Sequence, residues 1–211
     1  MDSPFADLSS VQQNKLFNLL GVHIYKYNKN EEILPTIKSE NIIGIIMSGY
    51  AQIINIEYNG NEIVMEDLIE NSVFGTNISA TNDENCVILA KEKTEVLIID
   101  YNKLVNPKNI QYKYFNIFFR NLFEIINTKF KERNDRMKIL EQKQIRDKLL
   151  EYFEIEYRKT YSKKIIMPFS FKDLADYIAV NRSAMFRELK HLKEEKLVEI
   201  KGKKITLLYK Y

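Results

Sequence analysis

The amino-acid sequence predicts an α+β protein with three consecutive parts: an all-β module, one long helix, and a helix-turn-helix followed by a β-hairpin. Three observations predict this order. Short β-prone runs fill residues 22–100, an amphipathic stretch without Gly or Pro follows them, and the chain ends in a basic pair of helices. We predict bounds of 1–109 for the β module, 110–140 for the helix and 141–211 for the carboxy-terminal part.

The strands of the all-β module are predicted by five apolar, β-branched runs. They are residues 22–25, 42–47, 51–56, 62–65 and 95–99. Between the third and fourth runs, Asn59-Gly60 predicts a two-residue hairpin turn, because Asn and Gly tolerate the positive φ angles that such a turn requires. Gly49 marks another turn.

The long helix is predicted over residues 110–140, where apolar residues recur every three or four positions. About 30 helical residues extend about 45 Å, more than a small domain needs. A second copy of the helix would cover the apolar stripe and form a dimer seam; the alternative is that the stripe packs on its own β module. The predicted seam residues are Phe115, Phe119, Leu122, Ile126 and Phe130.

The carboxy-terminal part is predicted to begin with a helix over residues 141–159 and to continue with a helix pair. Ser170 is a suitable amino-terminal cap for the first helix of the pair, and Asn181 for the second. In the second helix Met185, Leu189 and Leu192 face one way, and the basic side chains face the other. Two β-prone runs with a basic tip at residues 201–204 follow, which predicts a winged helix-turn-helix.

Residues 171–198 resemble the DNA-binding domain of the cyclic AMP receptor protein/FNR (Crp/Fnr) family of bacterial transcription regulators. The likeness extends along nearly the whole chain, because residues 22–34 and 46–53 look like the family's opening β-roll segments. It implies an amino-terminal β-roll of the cyclic-nucleotide-binding type, a central dimerisation helix and a winged helix. It also implies a homodimer acting on a palindromic site of double-stranded DNA, with RNA polymerase as a further partner.

The resemblance implies that Arg182, Ser183 and Arg187 read bases. The guanidinium group offers paired donors that match guanine O6 and N7 in the major groove. Phe186 either contacts a thymine methyl group or packs against a neighbouring element. The predicted DNA-binding residues are Arg182, Ser183, Phe186, Arg187, Lys190, Ser170 and, at the wing tip, Lys203.

The sensory cassette departs from the family's cyclic-nucleotide binders, which hold the ribose with a Glu and the phosphate with an Arg-Ser/Thr pair. Here Thr76 replaces the Glu, and Glu84-Asn85-Cys86 replaces the phosphate clamp. A carboxylate would repel the cyclic phosphate, so neither cyclic AMP nor cyclic GMP is the expected effector. An unidentified small molecule, a redox signal at Cys86 and action without an effector all remain open.

The composition excludes several other classes of protein. With one cysteine, Cys86, the chain has no disulfide framework, Cys-rich zinc site or four-thiolate iron–sulfur cluster. His23 and His191 are poorly placed as haem ligands or catalytic partners, and no P-loop or dinucleotide motif is present. We therefore expect no enzyme activity, no metal and no cofactor. No run reaches the ~18 apolar residues of a membrane helix, so a cytoplasmic protein without a membrane partner is expected.

The charges divide unevenly along the chain. Residues 1–110 carry 8 Lys/Arg and 15 Asp/Glu, whereas residues 111–211 carry 24 and 14. This asymmetry favours a polyanionic partner for the second half, although two solvated surfaces of different charge would look the same. A winged helix that binds a protein instead of DNA is the alternative function within the same fold.

Overall fold

In a computed structural model the described residues are 3–33, 41–58, 60–75 and 85–209. Contacts between residues divide the chain into two units, 1–128 and 129–211. The division lies inside the long helix, whereas the sequence placed domain bounds at the two ends of that helix. Helices and antiparallel sheets occur in both units, which confirms the α+β class.

The described part of the first unit contains two antiparallel sheets and helices at both ends. Its strands are β1 (His23–Tyr27), β2 (Ile42–Ser48), β3 (Ala51–Ile56), β4 (Glu62–Leu68), β5 (Val73–Gly75), β6 (Cys86–Ala90) and β7 (Thr94–Asp100). One sheet has the strand order β1-β7-β2-β5, and the other has the order β4-β3-β6. The helices are α1 (Ser10–Leu20), α2 (Tyr101–Leu104), a 3₁₀ turn (Pro107–Gln111) and the start of α3 (Lys113–Glu141).

Strands β2 and β7 are buried on both faces, which explains their nearly continuous apolar sequences. Ile45 and Leu97 belong to a cluster with residues of α1 and α3, whereas their neighbours Ile46 and Val96 belong to a second cluster with residues of β3. Successive strand residues point to opposite faces, so a strand between two layers is apolar at every position. The four-stranded sheet therefore lies between the helices and the three-stranded sheet.

The structure corrects the predicted turn between β3 and β4. Asn59 lies outside the described residues, but the backbone N–H of Gly60 donates to the Glu57 carbonyl at 2.8 Å, and that of Glu57 donates to the Asn61 carbonyl at 2.9 Å. Gly60 is thus the last residue of a longer loop, not the second residue of a two-residue turn. Its φ of +83° is the left-handed conformation that closes three-residue hairpin loops.

The second unit packs helices against a small sheet. Its further elements are α4 (Ile145–Thr160), β8 (Lys164–Ile166), α5 (Phe171–Tyr177), α6 (Arg182–Glu194), β9 (Val198–Lys201) and β10 (Lys204–Leu207). The sheet is antiparallel with the order β8-β10-β9. The apolar faces of α4, α5 and α6, together with Ile139 at the end of α3, form one core with it. Helix α4 begins at Ile145 instead of the predicted Glu141, because α3 continues to Glu141.

Candidate nucleic-acid interface

Helix α5 begins with a capping box made by Ser170 and Asp173. The Ser170 hydroxyl accepts a hydrogen bond from the Asp173 backbone N–H and donates one to the Asp173 carboxylate, which also accepts from the Ser170 backbone N–H. These bonds lower the pKa of Asp173, because they favour its ionised form. The predicted helix start is confirmed. The hydroxyl is already engaged, so the predicted contact between Ser170 and DNA would require it to share these bonds.

The connection from α5 to α6 is a short turn with a side-chain cap. The Val180 backbone N–H donates to the Ala175 carbonyl at 3.0 Å, and Ala179 adopts a left-handed φ of +52°. Asn181 then caps α6, because its side-chain oxygen accepts a hydrogen bond from the Ala184 N–H at 3.2 Å. The helix-turn-helix predicted from the sequence is therefore present.

Helix α6 has one apolar face and one polar face, as predicted. Met185, Leu189 and Leu192 are buried in the core of the second unit. Ser183, Arg187 and Lys190 lie on the opposite side of the helix and are exposed. Within the part of the chain that the structure describes, Arg187 makes no ion pair, so its guanidinium group is free to bind another molecule.

Two further side chains of α6 lie on the flank that faces α5, and each has a partner there. Arg182 Nη2 lies 2.9 Å from Asp176 Oδ2. The ring of Phe186 contacts that of Phe171, with centroids 6.1 Å apart and the planes inclined at 55°. Sequence reasoning did not identify Asp176 or Phe171 as part of the interface, because partners on another helix leave no periodic signal.

The carboxyl end of α6 is held to α4 by an arginine. Arg146 donates hydrogen bonds to Glu195, at the end of α6, and lies 3.3 Å from Glu188 in the second turn of α6. These interactions lower the pKa of Glu195, since the guanidinium group stabilises the carboxylate. Lys148 of α4 donates to the Ile178 carbonyl at 3.1 Å, at the end of α5. Helix α4 thus positions both helices of the motif, although the sequence analysis assigned it no such part.

The hairpin after α6 has the predicted basic tip. Strands β9 and β10 pair with Lys201 opposite Lys204, which leaves Gly202 and Lys203 at the turn. Gly202 has a φ of +59°, the conformation for which glycine is preferred. Lys203 is exposed and has no ion pair among the described residues.

The arrangement of α5, the turn, α6 and the hairpin is shared with known proteins. Residues 144–210 match the family model of the Crp-like helix-turn-helix domain. The carboxy-terminal domain is a Crp-like helix-turn-helix domain. No curated protein sequence matches the chain.

The fold of the whole chain is also shared. It is similar to CprK complexed with OCPA, at 20% sequence identity over 92% of this chain and 89% of that one, with a TM-score of 0.61. It is similar as well to a variant of CooA from Carboxydothermus hydrogenoformans, at 17% identity over 96% and 88% of the two chains, with a TM-score of 0.56. The chain therefore shares its fold with these two proteins.

The cassette that the sequence analysis singled out in the first unit is only partly described. Thr76 and Glu84 lie outside the described residues, so the predicted departure from a cyclic-nucleotide site stays a prediction. Cys86 is buried at the start of β6, with the Asn55 side-chain nitrogen 3.7 Å from its sulfur. His23 is exposed on β1, and His191 is exposed on α6.

Helix α3 has two apolar faces, and the structure separates them. Phe115 and Leu122, two of the predicted seam residues, are buried in the core of the first unit. These two positions therefore follow the alternative, in which the stripe packs on its own unit. Ile126 is partly buried and packs against the same core, whereas Phe119 and Phe130 are exposed and lie about 50° around the helix from Phe115.

A stripe of residues with heptad spacing runs along α3, and all of them except Arg133 are apolar. Alternating steps of four and three residues connect Phe119, Phe123, Ile126, Phe130, Arg133, Met137 and Leu140. Of the six apolar members, all but Ile126 are exposed, and Phe130 is 64% exposed. We call these seven residues the α3 stripe. The four-residue step from Phe119 to Phe123, within the heptad from Phe119 to Ile126, was a signal in the sequence that would have added Phe123 to the predicted seam.

An apolar groove of about 160 Å³ adjoins the part of the α3 stripe in the first unit. Phe119 and Phe123 form one wall, and Ile42 and Val105 belong to the other.

None of the helices among the described residues is long and apolar enough to cross a membrane. In the same described residues, no group of three or more His, Cys, Asp or Glu side chains is placed to hold a metal ion.

Proposed function

We propose that the chain is a homodimeric transcription regulator that binds a palindromic DNA site with helix α6 of each copy in the major groove. The observation that carries this proposal is the polar face of α6. Ser183, Arg187 and Lys190 are exposed in a Crp-like domain, and Arg182 begins the helix beside them. In helix-turn-helix proteins the amino-terminal residues of the second helix contact base edges.

The α3 stripe supports the homodimer. Exposed aromatic and aliphatic side chains at heptad positions are stabilised when a second helix covers them, and a monomer in water rarely leaves such a stripe open. Two copies related by a two-fold axis would present two α6 helices to half-sites about 34 Å apart, one turn of DNA.

The cyclic-nucleotide cassette has no role as a cyclic AMP site in this proposal. By the resemblance, Thr76 replaces the glutamate that holds the ribose, and Glu84-Asn85-Cys86 replaces the phosphate clamp. A carboxylate there would repel the cyclic phosphate. Isothermal titration with cyclic AMP and cyclic GMP is expected to give no saturable heat. Binding at micromolar concentration would contradict this part of the proposal.

Selection of bound duplexes from a random DNA pool tests the function. Purified protein at moderate salt, without added ligand, is expected to enrich a palindromic consensus. If no consensus emerges, the selection is repeated with cell extract, which supplies any missing effector. Failure in both conditions would contradict the proposal and favour a winged helix that binds a protein.

The selected site then tests base reading by Arg182. Arg182→Ala is expected to weaken binding to the site by about 1–3 kcal/mol and to relax the preference at one base pair of each half-site. Arg158→Ala is the matched control, because it removes the same side chain from α4, outside the helix-turn-helix. Equal weakening on the selected and scrambled duplexes would show that Arg182 does not read a base.

A further inference from the structure

We propose that Phe186 reads the 5-methyl group of a thymine in each half-site, and that Phe171 holds its ring in position for this contact. The inference rests on the proposed function and adds the chemical group that α6 recognises besides guanine. It is carried by the exposure of Phe186, its place between two arginines and its contact with Phe171.

Phe186 occupies a position on α6 where an apolar side chain needs an explanation. It lies one helical turn after Arg182 and directly before Arg187, and 51% of its surface is exposed. It is the only phenylalanine of α6, and its neighbours along the polar face are a serine, an arginine and a lysine. The core of the unit is already filled from the other side of the helix by Met185 and Leu189, so packing within the domain accounts for only half of the ring.

Phe171 limits the movement of the exposed ring. It is the first residue of α5, is partly buried against the core of the second unit, and contacts Phe186 with a centroid distance of 6.1 Å. A side chain that is ordered before binding loses less conformational entropy when it meets its ligand. The pair therefore presents a pre-positioned apolar surface on the helix that also carries Arg182 and Arg187.

Among the unmodified bases, only thymine carries an apolar group in the major groove, and phenylalanine is one of the side chains that contact it. Removing one methyl group from such a contact lowers affinity about fourfold, given the usual value for a buried methylene. The same change in both half-sites of a dimer site is then expected to lower affinity about fifteenfold.

Replacement of thymine by deoxyuridine tests the contact, because it deletes the methyl group and leaves every hydrogen-bonding group unchanged. Each thymine pair of the selected palindrome is replaced in both half-sites, and dissociation constants are measured by fluorescence anisotropy. For the unaltered protein, one symmetric position is expected to show the fifteenfold loss, and the other positions little change.

Variants assign the effect to the side chain. Phe186→Ala is expected to bind thymine and deoxyuridine at that position equally well, whereas Phe186→Leu keeps part of the difference. Phe171→Ala should reduce the ratio of the dissociation constants for the deoxyuridine and thymine duplexes, since it releases the Phe186 ring. Arg187→Ala is the control, which should bind more weakly but keep the full ratio, and circular dichroism checks that each variant is folded.

The outcomes separate this inference from the proposed function. A specific site that no deoxyuridine substitution weakens, or a loss that persists in Phe186→Ala, would overturn the methyl contact and leave the DNA-binding function standing. The absence of any specific site would overturn both.

Discussion

Arg182, a proposed base-reading residue, is paired with an acidic neighbour in the structure. Its guanidinium group pairs with Asp176 at 2.9 Å, and both side chains are about half exposed. An exposed ion pair of this kind contributes about 0–1 kcal/mol, so it does not prevent Arg182 from binding a base. The guanidinium group has five donors, and one carboxylate leaves others free. Under the proposed function, we expect Asp176 to restrict where those donors point.

Substitution of Asp176 by Asn is expected to lower the specificity of DNA binding. The change removes a negative charge near the phosphates, which strengthens binding to any sequence, and it releases Arg182 from its fixed orientation. Affinity for a scrambled duplex should thus rise more than affinity for the selected site. Competition assays with the two duplexes measure the ratio.

Glu194→Gln is the matched control for Asp176→Asn. Glu194 also pairs with a basic residue of the polar face, Lys190, at 3.7 Å, but Lys190 lies farther along α6 than the proposed base-reading positions. Glu194→Gln should change the affinity for the selected and the scrambled duplex by the same factor. If Asp176→Asn left the ratio unchanged as well, Asp176 would have no positioning effect.

At the scale of elements, the attachment of α6 to α4 depends on ionised carboxylates. Arg146 lowers the pKa of Glu195 from its ordinary value of 4.5. A carboxylate with a lowered pKa in the folded state stabilises the fold above the ordinary pKa, and this stabilisation is lost as the pH falls through the lowered pKa. The attachment is therefore complete at neutral pH and weakens in acid.

Glu195→Gln is expected to reduce the acid sensitivity of the second unit. Urea unfolding followed by far-ultraviolet circular dichroism, at several values between pH 7 and pH 3, measures the stability. The unaltered protein should lose more stability across this range than Glu195→Gln does. Glu132→Gln, an exposed α3 carboxylate without an ion pair in the described residues, should follow the unaltered protein. Identical pH profiles for all three would show that the attachment contributes nothing.

The α3 stripe makes a second prediction at this scale. Phe130→Glu is expected to give monomers in sedimentation velocity, because a charge in a coiled-coil seam loses its hydration when the helices associate. Phe130 is exposed, so the substitution should leave the fold of the chain intact. Lys131→Glu introduces the same residue one position along, outside the stripe, and should remain dimeric. A dimeric Phe130→Glu variant would show that the α3 stripe is not the seam.

At the scale of the whole molecule, the distribution of charge and the fold both favour the second half of the chain as the part that would bind DNA. The excess of Lys/Arg over Asp/Glu lies in residues 111–211, which include the Crp-like domain. Binding to DNA should accordingly weaken as salt rises, by a slope of about 0.9 in log–log form for every phosphate neutralised. The slope therefore reports how many lysine and arginine side chains contact phosphates.

Lys203→Ala is expected to weaken binding to all sequences alike and to flatten this slope. Because a dimer has two wing tips, the slope should fall by close to two. Lys29→Ala, a substitution in the first unit, should leave it unchanged. A loss confined to the selected site would instead assign Lys203 to base reading.

Local signals explain why so much of the fold and of the helix-turn-helix could be predicted from the sequence. Ser170 and Asn181 cap their helices as predicted, and Met185, Leu189 and Leu192 form the buried face of α6. Caps and helical periodicity depend on residues within one or two turns, so a sequence contains them in full. The strands β5, β6 and β8 were not predicted.

The sequence by itself determined the order of the parts, the helix-turn-helix and the side chains that α6 exposes. Only the tertiary structure decided that Phe115 packs inward while Phe119 lies open, that Asp176 holds Arg182, and that Phe171 contacts Phe186. The physical reason is that periodicity shows which residues share a face of a helix. Which element covers that face depends on contacts between residues that are distant in the chain.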